Sequence, residues 1–265
     1  MPPARKRTRS YDSAKIRAAV LTQFGHVREA VGTLSPEQLE LPTRLGDWTV
    51  RELATHIAIG FASVARAAGL PEPAKAEVAL LDWPSTTAAR AEAVDEAVRA
   101  AAADASQDLA ALYGRTAEEV GEVLSGTPGD RLVQTRGGAL RLDDHLVTRA
   151  VELVVHTDDL NAATGLGIPY DRQALAACVR LLADVLAAKA PGGSVEVRIP
   201  PYAVVQCVEG PRHTRGTPPN VVETDPLTWV RLATGRTRWD TELDAAAVSA
   251  SGERADLSAL LPLMS

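Results

Sequence analysis

A carboxylate and an imidazole lie one helical turn apart in the stretch TRAVELVVHTDDLNAATG, residues 148–165. The many apolar residues around them predict a buried helix, and residues four positions apart on a helix project from the same face. Glu152 and His156 therefore present oxygen and nitrogen donors to one point. A buried, unpaired carboxylate is costly, and a divalent cation beside it removes that cost. One interpretation of the spacing is a metal site.

A structural pairing would explain the same residues without a metal. The chain has 34 acidic residues and 5 histidines, so about 0.6 pairs with this spacing are expected by chance. In this alternative, Arg149 neutralises Glu152, and Asp159 or a backbone carbonyl accepts a hydrogen bond from His156. The spacing alone leaves both interpretations open.

The elements that would position a third ligand can be predicted from capping residues. A capping box formed by Thr49 and Glu52 starts a helix that runs from Val50 to about Ala68, and His56 lies in its second turn. Facing helices of a bundle often build metal sites, so His56 could complete a set of three. Two imidazoles and one carboxylate leave coordination positions open, as in catalytic metal sites.

Helical patterns cover most of the first 190 residues. Apolar residues recur at three- and four-residue spacing from Tyr11 to about Leu34. An Ala-rich helical segment follows a proline-containing connection, and a capping box at Thr116 leaves open whether a helix continues or restarts there. A turn-rich stretch before the opening helix suggests a short hairpin. One more helix is capped by Asp171 and ends at Pro191.

The pattern changes after Gly193. Val-rich alternation in SVEVRIPPYAVVQCVEG predicts strands, and Asp225-Pro226 begins a short helix. The closing segment TELDAAAVSASGERADLSALLPLMS reads as strand, turn and short helix. The predicted fold class is α plus α+β, divided into a basic disordered tail at 1–10, a helical bundle at 11–191 and a small α+β domain at 194–265.

Composition narrows the class of function. The net charge of -6 and the pI near 5.5 argue against a nucleic-acid partner. Cys178 and Cys207 are too few for a disulfide framework or a Cys-rich zinc cluster. No apolar run is long enough to span a bilayer, and the start has no signal-peptide core. We expect a cytoplasmic monomer that binds neither nucleic acid nor membrane.

Two segments resemble the mycothiol-dependent maleylpyruvate isomerase family. LPTRLGDWTVRELATHIA is similar to the family's T.L..W.V.dL..Hl, and GGALRLDDHLVTRAVELVVHTDDL to its G.mrl..yl..R..E...H..DL. They occur in the family's order, and the resemblance covers roughly residues 11–190. It implies a DinB-like four-helix bundle with a divalent metal, most often zinc, bound by His56, Glu152 and His156. Further on, DP..W..LATGR and SG..ADLS..LPL resemble a sterol-carrier-protein domain.

The resemblance also implies an activity. The chain would be a metal-dependent enzyme that uses the low-molecular-weight thiol mycothiol on a small, acidic electrophile, either as a cis-trans isomerase or as a thiol S-transferase. The metal would lower the pKa of the thiol. An arginine would anchor a substrate carboxylate. The candidates are Arg149 on the helix of Glu152, and Arg231 and Arg236 in the C-terminal domain.

Three neighbours of the ligand set carry further expectations. His145 lies seven residues before Glu152, roughly 10 Å along the axis at about 1.5 Å per residue. That is too far to share the metal; His145 could line the mouth of the pocket, but we expect a surface histidine. Asp158 and Asp159 are candidates to accept the second N–H of a metal-bound histidine.

The alternative function is a sterol or lipid carrier with a non-catalytic bundle. A carrier needs a continuous apolar lining, and the C-terminal domain offers Pro201, Tyr202, Trp229 and Trp239. Its arginines, however, make the domain polar. A vestigial metal site in a protein that acts through partners is a third hypothesis.

Overall fold

The computed structural model describes residues 9–104, 108–210 and 219–264. Most of the predicted tail at 1–10 lies outside the described residues, as do residues 211–218. The elements are α1 (Ser13–Val31), α2 (Pro36–Leu39), α3 (Val50–Gly69), α4 (Ala91–Ala102), α5 (Leu109–Gly126), β1 (Leu132–Thr135), β2 (Gly138–Arg141), α6 (Leu142–Thr164), α7 (Arg172–Lys189), β3 (Val195–Ile199), β4 (Ala203–Cys207), β5 (Val221–Thr224), α8 (Pro226–Ala233), α9 (Trp239–Asp244) and β6 (Val248–Ser251), with 3-10 turns at Leu80–Thr86, Ala88–Arg90 and Ser258–Leu260.

Four long helices form a closed bundle. Both α1 and α3 pack against α5 and α6. Three stacked aromatic rings fill the interior: the centroid of Phe24 lies 4.3 Å from that of Phe61 and 5.0 Å from that of Tyr113. Offset stacking and burial of such large rings dominate the energetics of a core. The predicted four-helix bundle is confirmed.

Capping side chains fix where the helices begin. The hydroxyl of Thr49 accepts a hydrogen bond from the backbone N–H of Glu52, and the Glu52 carboxylate accepts one from the backbone N–H of Thr49. This capping box sets the start of α3 and therefore the position of His56. Thr116, by contrast, is buried inside α5, which starts at the Asp108 cap and does not restart.

A four-stranded sheet forms the C-terminal part. Its strand order is β4-β3-β5-β6; β3 pairs antiparallel with β4 and parallel with β5, and β5 pairs antiparallel with β6. The helix α7 contacts β4 and α8 as well as α1 and α6. It therefore ties the sheet to the bundle, and the domain boundary near Pro191 stays a prediction.

Two details of the C-terminal prediction are wrong. The segment from Thr241 to Asp244 belongs to α9, and the strand begins only at Val248, after a turn in which Ala246 adopts φ 55°. The expected final helix is a single 3-10 turn, because Pro262 follows it closely and cannot extend a helix. Among the described helices, none has the length and apolar character needed to cross a bilayer.

Candidate metal centre

His56, Glu152 and His156 converge between α3 and α6. The Oε2 atom of Glu152 lies 3.4 Å from His56 Nε2 and 3.3 Å from His156 Nε2, and the three donor atoms lie within 4.8 Å of one another. Zinc bonds of about 2.0–2.1 Å in a tetrahedron place neighbouring ligand atoms about 3.3–3.4 Å apart. The donor types and their spacing therefore fit a divalent metal.

The two imidazoles reach this point from different helices. Glu152 and His156 occupy successive turns of α6, and His56 comes from the second turn of α3. The two imidazole rings meet edge to face, with centroids 4.8 Å apart and planes at 90°. The indole of Trp48 packs beside His56 at 5.2 Å. Helix packing thus brings together the three residues that the sequence singled out.

A buried carboxylate lies behind His156. Asp159 Oδ2 is 2.9 Å from His156 Nδ1, so the imidazole donates its Nδ1–H to Asp159 and turns Nε2 toward Glu152. Metal-binding histidines usually make such a contact, which fixes the tautomer and the ring orientation. The same contact belongs to the metal-free pairing that the sequence left open. The convergence of His56 on Glu152 is the feature that this pairing does not explain.

The charges of the three side chains are strongly coupled. Burial raises the pKa of Glu152, but hydrogen bonds from His156 and His56 and the charge of Arg149 outweigh it and hold that pKa well below its ordinary value. Burial lowers the pKa of His56, and Glu152 only partly offsets it. Burial also acts to lower the pKa of His156, but hydrogen bonds to Asp159 and Glu152 raise it overall. A metal would therefore compete with a proton on His156.

A cavity of about 1030 Å³ opens onto the three residues. Its apolar walls come from α3, α4 and the segment before α4, and they include Ile59, Leu70, Val78, Trp83, Val94 and Val98. Its charged lining is mostly basic and includes Arg66, Arg90, Arg136 and Arg149. An apolar cavity with a few convergent cationic groups suits a small organic anion.

Arg149 stands beside the candidate ligands. Its Nη2 atom lies 3.9 Å from Glu152 Oε1, and its Nε atom donates to Thr148 Oγ1 at 3.2 Å. Burial is the main cause that lowers the pKa of Arg149, and Arg90 across the cavity adds to it. An anion bound in the cavity would relieve the repulsion between the positive charges of Arg149 and Arg90.

Arg231 and Arg236 lie where the sheet domain meets α6. Arg231 binds Asp158 with both Nε (3.0 Å to Oδ2) and Nη2 (2.6 Å to Oδ1). Arg236 binds Asp159 with Nε (3.2 Å to Oδ1) and Nη2 (3.1 Å to Oδ2), and it also borders the cavity. Their role in holding substrate stays a prediction; the contacts they make here are with the two aspartates.

His145 is not the surface residue that the sequence suggested. Only 4% of it is exposed, and it lies in the cavity wall. Burial lowers its pKa to about 3, and Nε2 has no hydrogen-bond partner among the described residues. The expectation failed because α6 is covered on almost every side at this level, by the bundle and by the hairpin of β1 and β2.

Four further arginines near the site have no local signal in the sequence: Arg66 and Arg136, which line the cavity, and Arg44 and Arg90. Arg44, in the loop before α3, binds Asp159 Oδ1 through Nε at 2.6 Å and also contacts Asp158. Arg90 lines the cavity from the end of a 3-10 turn. Neither position has a periodic pattern. The one available indication for Arg44 was the Asp158-Asp159 pair, because adjacent carboxylates on a buried helix require cations nearby.

Comparisons with known proteins identify the family and the fold of the chain. A family model described as the mycothiol maleylpyruvate isomerase N-terminal domain matches residues 20–161, and one described as bacterial SCP ortholog matches 171–263. Crystal structures of the mycothiol-dependent maleylpyruvate isomerase and of one of its point mutants are each 17% identical, cover 93% of this chain and 95% of their own, and have TM-scores of 0.60. This likeness shows a shared fold. A search of curated proteins finds no significant match. Since the first model covers more than half of the chain, the protein belongs to the mycothiol maleylpyruvate isomerase family and carries a C-terminal domain of the bacterial SCP type.

Proposed function

We propose that this protein is a metal-dependent enzyme that uses mycothiol on a small, carboxylate-bearing electrophile. The observation that carries the proposal is the set of two imidazoles and one carboxylate at one end of an arginine-lined cavity. We take the identity of the thiol, mycothiol, from the names of the related crystal structures. Cis-trans isomerisation and thiol transfer need the same groups, and both fall within the proposal.

Each group has a distinct task in this chemistry. A divalent metal held by His56, Glu152 and His156 would act as a Lewis acid that lowers the pKa of a thiol. Asp159 holds the proton on Nδ1 of His156, which leaves Nε2 as the donor atom. Arg149 would bind the substrate carboxylate with two parallel hydrogen bonds. The apolar walls exclude water around the reacting double bond.

The isomerisation balances without an external proton. The thiolate forms a C–S bond at one end of the cis double bond, and the displaced electron pair moves into the conjugated carbonyl group. The substrate then rotates about what is now a single bond. The pair returns, the C–S bond breaks, and the trans product and thiolate leave. In a thiol transfer, the enolate instead takes up the proton that the thiol released, and the C–S bond remains.

The carrier alternative has less support. The large cavity lies in the bundle, and from the C-terminal domain it receives Arg236 and Met264. Trp229 and Trp239, which could have lined a lipid site, are buried in the hydrophobic core. We therefore place the enzyme hypothesis first.

Metal content tests the proposal directly. Purified wild type should hold about one divalent ion per chain by elemental analysis, and His156→Ala and Glu152→Ala should each lose it. His26→Ala is the matched control, because His26 contacts Pro169 at the surface of α1 and is remote from the cavity. A wild type that purifies without metal and cannot be loaded would contradict the proposal.

Turnover is the second stage. Metal-loaded protein should isomerise maleylpyruvate, or conjugate mycothiol to a small unsaturated acid, and a chelator should abolish the reaction. A fully loaded protein that catalyses neither reaction would remove the enzymatic part of the proposal and leave a metal-binding protein.

A further inference from the structure

We propose that Arg236 is a positioning residue for the metal centre, through which the C-terminal domain holds His156 in its metal-binding orientation. The inference rests on the proposed function, because it requires that a metal binds. It adds a role for the C-terminal domain, because the affinity of the site for metal would then depend on the docking of that domain against α6.

The link is a continuous chain of contacts between the two domains. Arg236 Nη2 lies 3.1 Å from Asp159 Oδ2, and the same oxygen lies 2.9 Å from His156 Nδ1. The other oxygen, Oδ1, accepts Arg236 Nε at 3.2 Å and Arg44 Nε at 2.6 Å. The carboxylate is thus held at both oxygens, and His156 is held by the carboxylate.

Arg236 is the group that fixes the oxygen facing His156. Arg44 holds Oδ1 of Asp159, so without Arg236 the one contact left on Oδ2 among the described residues would be that with His156 itself. The side chain of Asp159 is 0% exposed, so its oxygens are held by protein groups and not by bulk solvent. A ring held by a loosely oriented carboxylate loses the pre-organisation on which metal affinity depends.

The backbone places Arg236 for this role. Gly235 adopts φ +70° at the end of α8, and the Arg236 N–H then donates to the Arg231 carbonyl at 2.8 Å. Arg236 Nη1 also donates to the Thr234 carbonyl at 2.6 Å. The guanidinium group is therefore braced by its own domain before it meets Asp159.

Arg231 provides a matched control within the same interface. It lies on α8, crosses between the same two domains, and makes a bidentate pair with Asp158. Among the described residues, the hydrogen-bond partners of Asp158 are Arg44, Tyr170 and Arg231, and neither candidate histidine ligand is one of them. Loss of Arg231 should loosen the interface without releasing His156.

The experiment compares zinc affinity by competition with a chelator in wild type, Arg236→Gln and Arg231→Gln. We expect Arg236→Gln to bind zinc about tenfold more weakly and Arg231→Gln to stay within about twofold of wild type. Cobalt loading adds a second readout, because a change in histidine orientation alters the visible absorption of bound Co²⁺. Both glutamine variants should lower the melting temperature of the metal-free protein, which reports the interface itself.

Arg236→Lys keeps the charge but not the two-point contact, so its zinc affinity should fall between those of wild type and Arg236→Gln. If Arg236→Gln does not fold, the comparison of Arg236→Lys with Arg231→Lys replaces it. Equal affinity losses in the two positions, or none in either, would overturn the inference and leave the proposed function standing. A wild type that binds no zinc would overturn both.

Discussion

The imidazole of His145 occupies the cavity wall in an unusual state. Its Nε2 atom is buried without a described partner, and its Nδ1 lies 3.4 Å from a Thr148 hydroxyl that already donates to a backbone carbonyl. A buried polar atom left without a hydrogen bond costs about 1–3 kcal/mol. The imidazole ring therefore fills volume in the cavity wall, but its unsatisfied Nε2 atom lowers the stability of the folded state.

This state predicts that His145→Phe is tolerated. We expect the free energy of unfolding of the metal-free protein, measured in urea, to stay the same or to rise by about 1 kcal/mol, because the unsatisfied nitrogen disappears. Leu146→Phe is the control: it adds volume at a fully buried neighbouring position and should lower stability by about 1–3 kcal/mol. A loss above about 2 kcal/mol in His145→Phe would mean that Nε2 has a partner, such as a buried water.

The sequence predicted some single residues of the site and missed others for a physical reason. Glu152 and His156 share one long helix, so their relative placement follows from helical geometry alone. Arg44 and Arg90 lie in a loop and a 3-10 turn, and their contacts arise only when distant segments pack. Arg44 meets Asp159 across 115 positions of the chain, a distance at which no local pattern carries information.

At the scale of elements, α3 shows how a cap positions a ligand. Its capping box satisfies two of the backbone groups that a helix start leaves unpaired. His56 follows the cap by less than two turns, so fraying of this end would move the ring away from Glu152. The caps at Thr49 and Asp171 predict the starts of their helices correctly, whereas the capping pattern at Thr116 lies inside α5. The six-residue α9 reads as a strand in the sequence because so short a segment has little periodicity.

Thr49→Ala tests the cap. We expect it to lower the free energy of unfolding by about 1 kcal/mol, because the N3 backbone N–H loses its acceptor. Thr49→Ser retains the hydroxyl and should remain close to wild type. Urea denaturation of both variants measures the difference. If the serine variant is as unstable as the alanine variant, the packing of the Thr49 methyl group, and not the cap, stabilises this end of α3.

At the scale of the whole molecule, ion pairs to two buried aspartates, Asp158 and Asp159, join the two domains. Arg231 and Asp158 are separated by 73 positions, so the sequence could indicate each domain but not how they dock. The sequence predicts Asp158 and Asp159 only as hydrogen-bond acceptors for a metal-bound histidine. In the structure, Asp159 contacts His156 as predicted. Asp158 instead lies in the interface between the domains, where it also contacts Arg44 and Tyr170.

We expect acid to destabilise this interface, because the pKa of Asp158 is lower in the folded chain than in the unfolded chain. Burial raises the pKa of Asp158, but hydrogen bonds from Arg231 and Arg44 hold it below its ordinary value. The unfolded chain therefore takes up the proton first as the pH falls from about 4, the ordinary range of an aspartate. The stability that the carboxylate contributes is complete above that pH and is lost as the pH falls through the lower, folded-state pKa.

Asp158→Asn should remove this part of the pH dependence. We expect the variant to be less stable than wild type by about 1–2 kcal/mol at neutral pH, and the difference to shrink as the pH falls through the lower, folded-state pKa, because the wild-type carboxylate then takes up a proton as well. Unfolding free energies measured from pH 2 to 7 give both curves. Asp240→Asn is the control, because Asp240 pairs with Arg238 in an exposed bridge that water and salt screen. Parallel stability curves for wild type and Asp158→Asn would show that this carboxylate has the same pKa in the folded and unfolded chains. The domains would then be joined by apolar packing around α7 and not by these ion pairs.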